Sequence, residues 1–174
     1  ISVFVSMNTA YYNLDHSRNV FYQENEFADY YFHVVRAPYQ VIKRVEALPG
    51  VAKVTGRVQK DVPIMRDNGD RGTARLTGYS LPVDEEVNSI ELSSGRIFDR
   101  NPAGGKIEVL TDPQFAAANH LHPGDRLVVA VQGREVVLTV TGTGSGPEFI
   151  YPMKDAATLM PEPENFGIIM APLK

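Results

Sequence analysis

Two histidines one residue apart, His120 and His122, are the side chains of this sequence that most directly suggest metal chemistry. Zinc needs three or four converging ligands, and a helix usually offers two of them four residues apart. Here Pro123 favours extended backbone at His122, whereas His120 follows a short predicted helix. The nearby acids, Asp112 and Asp125, stand at no recognisable ligand spacing. We therefore interpret the pair as a helix end and a turn, and we predict no metal and no cofactor.

The glycine-rich stretch "TGTGSGP", Thr141–Pro147, resembles a phosphate-binding loop, because glycines let backbone N–H groups approach an anion. It lacks the Lys-Ser/Thr pair of a P-loop, and the strand-like "EFIYP" follows in place of a helix whose N-terminus would face the phosphate. Ser145 lacks the Gly-x-Ser-x-Gly spacing of a nucleophile elbow. We predict a loose bend between strands, with no nucleophile.

Two pairs of carboxylates have the residue types for acid–base chemistry, Glu85 with Glu86 and Glu162 with Glu164. Both pairs lie in loop-like surroundings near prolines, where solvation is the default fate of a charge. General acid–base catalysis requires burial or a charged neighbour to shift a pKa, and nothing local indicates either. The sequence therefore predicts no catalytic residue, and a hydrolase or metal enzyme would rest on the histidine pair and Ser145 alone.

The composition is that of a folded globular chain, with 174 residues, 43% hydrophobic and 22% charged residues, and a net charge of −4. No run of Lys and Arg exists that could follow a phosphate backbone, which argues against nucleic acid as a partner. The absence of cysteine excludes a disulfide framework, a thiolate zinc site and a Cys nucleophile. No stretch of 18 apolar residues is present to span a bilayer.

Residues 2–24 predict a helix with an apolar stripe formed by Phe4, Met7, Tyr11, Leu14 and Phe21, whose spacing of three and four residues is interrupted only at Arg18. Its first twelve residues carry no charge. They fit either the end of a membrane helix or a helix packed on a sheet, and the start without Met suggests an excised or processed chain. The aromatic side chains in this region more often pack than bind a ligand.

The next stretch predicts a strand at 30–36, which is aromatic and β-branched, and then a helix from Pro38 to Leu48. A long half-buried strand follows at 51–65, and a turn at Asn68-Gly69 leads into a second strand. The period of two in the long strand predicts two faces, with Val54, Val58, Val62 and Ile64 buried and Arg57, Gln59 and Asp61 exposed.

After Pro82 the chain becomes polar with scattered apolar residues, which is typical of a linker. A short strand at 106–111 precedes a helix that begins at Pro113, with Thr111 or Asp112 as its N-cap. Two alternating runs then meet at residues 132–134 and predict a hairpin, followed by short strands at 148–152 and 166–172.

These elements predict an α+β fold with two lobes. An α+β lobe, ordered helix, strand, helix, strand, strand, occupies 1–87, and a β-rich lobe with one short helix is inserted at 88–152. A return segment at 153–174 completes part of the first lobe.

The ordered set of motifs, more than any one of them, carries a family resemblance. "FYQENEFADYYF" is followed by "APYQVIKRVEALPGVAKVTGRVQKDVPI", "LSSGRIFDRNPAGGKIEVLTDPQFAAANHLHPGDRLVV" and "LTVTGTGSGPEFIY". In this order they resemble the extracytoplasmic domain, the MacB-like periplasmic core, of FtsX-like/MacB-like ABC transporter permeases. The resemblance covers approximately residues 20–170.

The resemblance implies a non-catalytic domain with two lobes, held on the extracytoplasmic side of the cell membrane. The family forms permease dimers that couple cytoplasmic ATP hydrolysis to export, lipoprotein release or signalling. The implied partners are a cytoplasmic ATPase subunit, a second permease copy, and an unknown substrate or extracytoplasmic protein. The family usually continues into a further helix and strand after the position of Lys174. The alternative is a stand-alone soluble module that binds a ligand or peptide, whose gene would encode no membrane spans.

Overall fold

The computed structural model describes residues 2–66, 71–149 and 161–173. The helices of these residues are α1 Ser2–Glu24, α2 Gln40–Glu46 and α3 Pro113–Ala118. The strands are β1 Gln59–Met65, β2 Arg71–Tyr79, β3 Glu91–Gly95, β4 Ile107–Thr111, β5 Arg126–Val131, β6 Arg134–Ser145 and β7 Phe166–Pro172. The prediction of an α+β fold is confirmed. No helix within the described ranges has the length and hydrophobicity needed to cross a membrane.

The described strands form one sheet of seven strands in the order β3-β6-β4-β7-β2-β1-β5. Because β5 also pairs with β6, six of these strands close into a barrel, and β3 adds to the far end of β6. The 12 residues of β6 allow this, since its first half pairs with β5 and its last residues pair with β3. The β2/β7 and β4/β6 pairs are parallel and the others are antiparallel.

The interior of the barrel is an apolar core supplied by alternate residues of its strands. Successive side chains of a strand point to opposite faces, so each strand supplies every second residue. Phe115 of α3 packs into one end of this core. Fully burying one such large side chain contributes about 1.5 to 3 kcal/mol. The buried set is Val62, Ile64, Ala74, Val109, Phe115, Leu127, Val129, Leu138, Val140 and Ile169.

A second core covers the outer face of β4 and β7, where Leu110, Ile168 and Met170 are buried. The chain between β2 and β4 covers them with Val83, Ile90 and Phe98, all buried. The prediction of a linker here is therefore wrong, because its scattered apolar residues anchor the segment and it contains β3. With a core on each side, β7 is buried on both faces, as its continuous apolar sequence indicates.

An ion pair ties the covering segment to β4. Glu108 is buried and accepts hydrogen bonds from Arg96 Nη1 at 2.8 Å and from the backbone N–H of Asp99 at 3.0 Å. The hydrogen bond from the Arg96 guanidinium is the main cause that lowers the pKa of Glu108, against the opposite effect of its burial.

Asp112 is confirmed as the N-cap of α3, with Pro113 in the first turn. Its carboxylate accepts from Phe115 N at 2.8 Å and from Ile168 N at 2.7 Å, so one side chain joins α3 to β7. Burial raises the pKa of this carboxyl, and its backbone hydrogen bonds oppose the shift.

Two predicted strand regions differ in the structure. Residues 30–36 form no strand, and Tyr30, Phe32 and Val35 are exposed. The long strand predicted at 51–65 begins only at Gln59. The reason is common to both: β propensity requires pairing with a neighbouring strand, and no described strand forms a ladder with residues 30–36 or 51–58.

Both antiparallel hairpin pairings are confirmed. Val131 pairs with Arg134 across a two-residue turn in which Gln132 and Gly133 have positive φ angles of 51° and 78°. β1 and β2 pair antiparallel, while the turn predicted at 68–69 lies outside the described residues. The strand predicted at 148–152 is wrong at its start, where residues 147–149 form a single 3₁₀ turn, and the rest of it lies outside the described residues.

Each of the three predicted ranges contributes to the one sheet. Residues 1–87 supply β1 and β2, residues 88–152 supply β3 to β6, and residues 153–174 supply β7. The division of the chain into domains at these boundaries stays a prediction.

Candidate functional site

A cluster of polar side chains lies where the chain leaving α1 meets the barrel, and Arg57 is at its centre. The Arg57 side chain is 10% exposed. It donates to Tyr79 Oη at 3.2 Å and to the backbone oxygen of Asn88 at 2.6 Å, and it also donates to Glu148 and to the backbone oxygen of Val87. We name Arg57, Tyr79, Glu86, Asn88 and Glu148 the Arg57 cluster.

Tyr79, the last residue of β2, supplies a flat apolar surface beneath this cation. The Arg57 Cζ atom lies 4.0 Å from the centroid of the Tyr79 ring, a cation–π arrangement. Burial raises the pKa of the Tyr79 phenol, the carboxylates of Glu148 and Glu86 raise it further, and Arg57 opposes them. The phenol therefore stays protonated and serves as a neutral hydrogen-bonding group.

Two carboxylates of different exposure share the one guanidinium. Glu86 is 7% exposed, and its Oε1 atom accepts from Ser80 N at 2.9 Å. Its Oε2 atom lies 3.5 Å from Arg57 Nε, and neither of these two atoms makes a hydrogen bond in the described structure. Glu148 is 24% exposed and is hydrogen-bonded to Arg57. Arg57 therefore lies between Glu148, to which it is hydrogen-bonded, and Glu86, whose Oε2 atom accepts no hydrogen bond.

Asn88 joins this cluster to the residues that follow α1. Its Nδ2 donates to Glu148 at 2.6 Å and its Oδ1 accepts from Ala28 N at 2.7 Å. The backbone N–H groups of Asn88 and Ser89 donate to the oxygens of Glu26 and Asn25 at 2.9 and 3.0 Å. The end of α1 is thus tied to the barrel through Asn88, Glu148 and Arg57 in sequence.

An exposed ion pair between Lys53 and Glu26 also links the residues that follow α1 to the segment that contains Arg57. Pairs at this exposure contribute little, about 0 to 1 kcal/mol. The buried Arg57 cluster is therefore the stronger connection. Its carboxylates are held by the backbone N–H of Ser80, by Asn88 and by Arg57, an arrangement suited to fixing two segments together.

The two histidines of the predicted pair, His120 and His122, follow the end of α3. His120 has a positive φ of 53° at the helix end, and the His122 side chain is 78% exposed with its Nδ1 3.7 Å from Asp125 Oδ2. The Asp125 carboxylate also accepts from His122 N at 2.8 Å, which closes the turn. Within residues 2–66, 71–149 and 161–173, no group of three His, Cys, Asp or Glu side chains is placed to hold a metal.

The glycine stretch is a strand and not the predicted loose bend, since β6 runs through to Ser145, which pairs with Glu91 of β3. A side chain at Gly142 would place its Cβ 2.2 Å from the backbone oxygen of Ser94, so glycine is required for the close approach of β3 and β6. These glycines serve strand packing.

The prediction that both carboxylate pairs are solvated is correct for three of the four residues. Glu85, Glu162 and Glu164 are exposed, whereas Glu86 is buried. The prediction that Arg57 faces solvent is also wrong, because the period-two pattern was extended through residues 51–58, which lie outside the sheet. The available signals were a cation beside Val58 and an acid beside Val87, and neither identifies a buried cluster until its distant partners are known.

The apolar side chains of α1 and of the following segment are largely exposed. Phe27 stacks on Tyr22 with ring centroids 4.5 Å apart. In the stripe predicted to pack, Met7, Tyr11 and Leu14 are exposed and Phe21 is half-buried. The exposed large hydrophobic residues of this region are Met7, Tyr11, Tyr12, Leu14, Phe27, Tyr30, Tyr31, Phe32, Val34, Val35, Tyr39, Val41 and Leu48.

This chain is similar to a solved structure, the extracellular domain of the noncanonic ABC-type transporter YknZ from Gram-positive bacteria, with 17% sequence identity and a TM-score of 0.47. The similarity covers 77% of this chain and 61% of that chain, so this chain spans less than two thirds of that domain. No protein family model and no curated protein matches the chain.

Proposed function

We propose that this chain is a non-catalytic extracytoplasmic domain of an ABC transporter permease, and that the Arg57 cluster couples the position of α1 to the barrel. The observation that carries the proposal is the set of hydrogen bonds between residues 25–28 and residues 88–89, which continues to Arg57 and β2. The ordered motifs of the sequence support the same class of protein. In such a domain, movement of a membrane-linked helix has to reach the folded part.

The exposed apolar surface supports contact with other parts of such a transporter. Phe32 is 84% exposed and Val35 has no cover in the described structure. Contiguous exposed apolar residues usually mark interaction sites in soluble and membrane-linked domains. In our proposal, α1 and residues 30–39 face the rest of the permease, and the barrel faces away from it.

The proposed partners follow from this arrangement. A cytoplasmic ATPase subunit would act through the membrane part of the permease, and a second permease copy would complete the dimer. An unknown substrate or extracytoplasmic protein would contact the barrel. The role would be to pass ATP-driven movement to export, lipoprotein release or signalling, in the manner of FtsX-like/MacB-like permeases.

The placement can be tested with single cysteines, because these 174 residues contain none. In a full-length permease free of other cysteines, Val137→Cys places a thiol on the exposed outer face of the barrel, and Val129→Cys places one in the barrel core. A membrane-impermeant maleimide added to intact cells is expected to label Val137→Cys. Val129→Cys is expected to react only after denaturation.

Two outcomes would contradict the proposal. Labelling of Val137→Cys only after the cells are lysed would place the domain on the other side of the membrane. A full-length gene that encodes no membrane spans, or a purified product that never brings down an ATPase with a Walker motif, would favour the stand-alone binding module.

A further inference from the structure

Arg57 has two acidic neighbours, and its hydrogen bonds satisfy only one of them. Its terminal nitrogens bond to Glu148, to Tyr79 and to the backbone oxygens of Val87 and Asn88. Its Nε atom has no hydrogen-bond acceptor, although the side chain is buried. A buried N–H of a charged group without an acceptor is unfavourable and rare in folded proteins.

The missing acceptor is close by on Glu86. The Oε2 atom of Glu86 lies 3.5 Å from Arg57 Nε and likewise makes no hydrogen bond. A charge-assisted hydrogen bond between these atoms would have a length of about 2.8 Å. The other oxygen of Glu86 is fixed by Ser80 N, so this carboxylate can stay in place while the guanidinium moves over the Tyr79 ring.

Two of the acceptors that hold the terminal nitrogens of Arg57, Glu148 and the backbone oxygen of Asn88, are linked to the residues that follow α1. Asn88 donates to Glu148 and accepts from Ala28 N, and its backbone N–H donates to Glu26. Displacement of residues 25–28 would therefore pull on Asn88 and loosen the contact between Glu148 and Arg57. The guanidinium would then have one remaining acid within reach.

We infer that Arg57 is a two-position latch, shared with Glu148 while residues 25–28 are docked and closed onto Glu86 when they move away. The latch gives the domain two discrete states, in each of which Arg57 is hydrogen-bonded to a different carboxylate, in place of a gradual loosening. Its use by a transporter rests on the proposed function, whereas the exchange of partners is a property of this chain alone.

The exchange can be followed by NMR of the ¹⁵N-labelled chain through the side-chain Nε–H resonance of Arg57, assigned by its loss in Arg57→Lys. Glu148→Gln weakens the first position and is expected to move this resonance downfield and to slow its exchange with solvent about ten-fold or more, because the proton gains a carboxylate acceptor. Asn88→Gly is expected to shift the resonance and slow its exchange in the same way, since it removes the hydrogen bonds of the Asn88 side chain to Ala28 and Glu148. Glycine is chosen because it readily adopts the positive φ of 54° found at residue 88.

Two further variants serve as matched controls. Glu85→Gln, which changes a neighbouring exposed acid, is expected to leave the Arg57 resonance unchanged. In the double variant Glu148→Gln/Glu86→Gln, the exchange of the Arg57 Nε–H with solvent is expected not to slow. The backbone amide spectrum of each variant reports whether the fold is kept.

An unchanged Arg57 Nε–H in both Glu148→Gln and Asn88→Gly would overturn the latch, as would the same slowing in the double variant. These results are independent of the cysteine labelling in cells. A failure of the transporter proposal leaves the partner exchange standing, and a failure of the exchange leaves the placement of the domain untouched.

Discussion

The side chain of Phe115 in α3 lies directly over Gly167 of β7, and a Cβ built at residue 167 would lie 2.3 Å from Phe115 Cγ. No real side chain tolerates that distance. The absence of a side chain at residue 167 is therefore what lets α3 close the end of the barrel, since Phe115 is fully buried in the interior core.

Gly167→Ala is expected to destabilise the chain by about 1 to 3 kcal/mol, because Phe115 or β7 must shift to admit the methyl group. The free energy of unfolding from urea denaturation measures the effect. Gly146→Ala is the control, since its Cβ would meet no atom closer than 3.4 Å. Equal losses from the two substitutions would show that α3 does not depend on this contact.

Asp112→Asn is expected to lower the free energy of unfolding by about 1 to 3 kcal/mol. The carboxylate accepts from Phe115 N and Ile168 N with separate oxygens, whereas an asparagine has one oxygen and turns an NH₂ group toward the second N–H. Asp125→Asn is the matched control, because its carboxylate is exposed and serves one turn. A loss no larger than that of Asp125→Asn would contradict the role of Asp112 as a double acceptor.

Local elements of this fold could be predicted from the sequence because their causes are local. The Asp112 cap, α2 and the hairpin at residues 132–133 each depend on a few neighbouring residues. Closure of the barrel could not be predicted, since the pairing of β1 with β5 and of β2 with β7 joins strands far apart in the chain. An alternating pattern shows that a strand has a buried face, but it does not identify the strand with which it pairs.

The candidate site was missed for the same reason. Arg57 and Glu148 are 91 residues apart, and Asn88 and Glu148 are 60 apart. The period-two pattern around Val54 and Val58 placed Arg57 on an exposed face, because it treated residues 51–65 as one strand. The chain enters the sheet only at Gln59, so the alternation before that point does not report which side chains are buried.

Arg57→Met is expected to destabilise the chain by about 3 to 5 kcal/mol, because it leaves Glu86 and Glu148 without their cation in a buried setting. Lys53→Gln removes the exposed pair with Glu26 between the same two segments, and about 0 to 1 kcal/mol is expected. Thermal and urea unfolding of both variants would measure the difference. Similar values for the two would mean that the Arg57 cluster does not hold the segment after α1.

The pair of Glu108 and Arg96 predicts a pH dependence. Since the Arg96 guanidinium lowers the pKa of Glu108, its contribution to stability is present above the ordinary glutamate value of 4.5 and is lost as the pH falls through the lowered value of the folded state. Glu108→Gln should therefore lose less stability than the unmodified chain on acidification below 4.5. The pKa of Asp112 is raised, so its effect on stability changes with pH in the opposite direction. Asp112 is present in both proteins, so it does not alter the difference between them. Parallel curves of unfolding free energy against pH would refute the assignment.

Phe32 and Phe98 provide a matched pair that separates the exposed surface from the core. Phe98→Ala is expected to cost about 3 to 5 kcal/mol, because the ring is 2% exposed and covers the outer face of β4 and β7. Phe32→Ala is expected to change the free energy of unfolding by less than about 0.5 kcal/mol, because its ring is 84% exposed in this chain. A large loss at Phe32 would mean that residues 30–36 pack within the chain. Within the proposed function, a loss of transporter activity for Phe32→Ala with an unchanged free energy of unfolding would assign this ring to contact with another part of the permease.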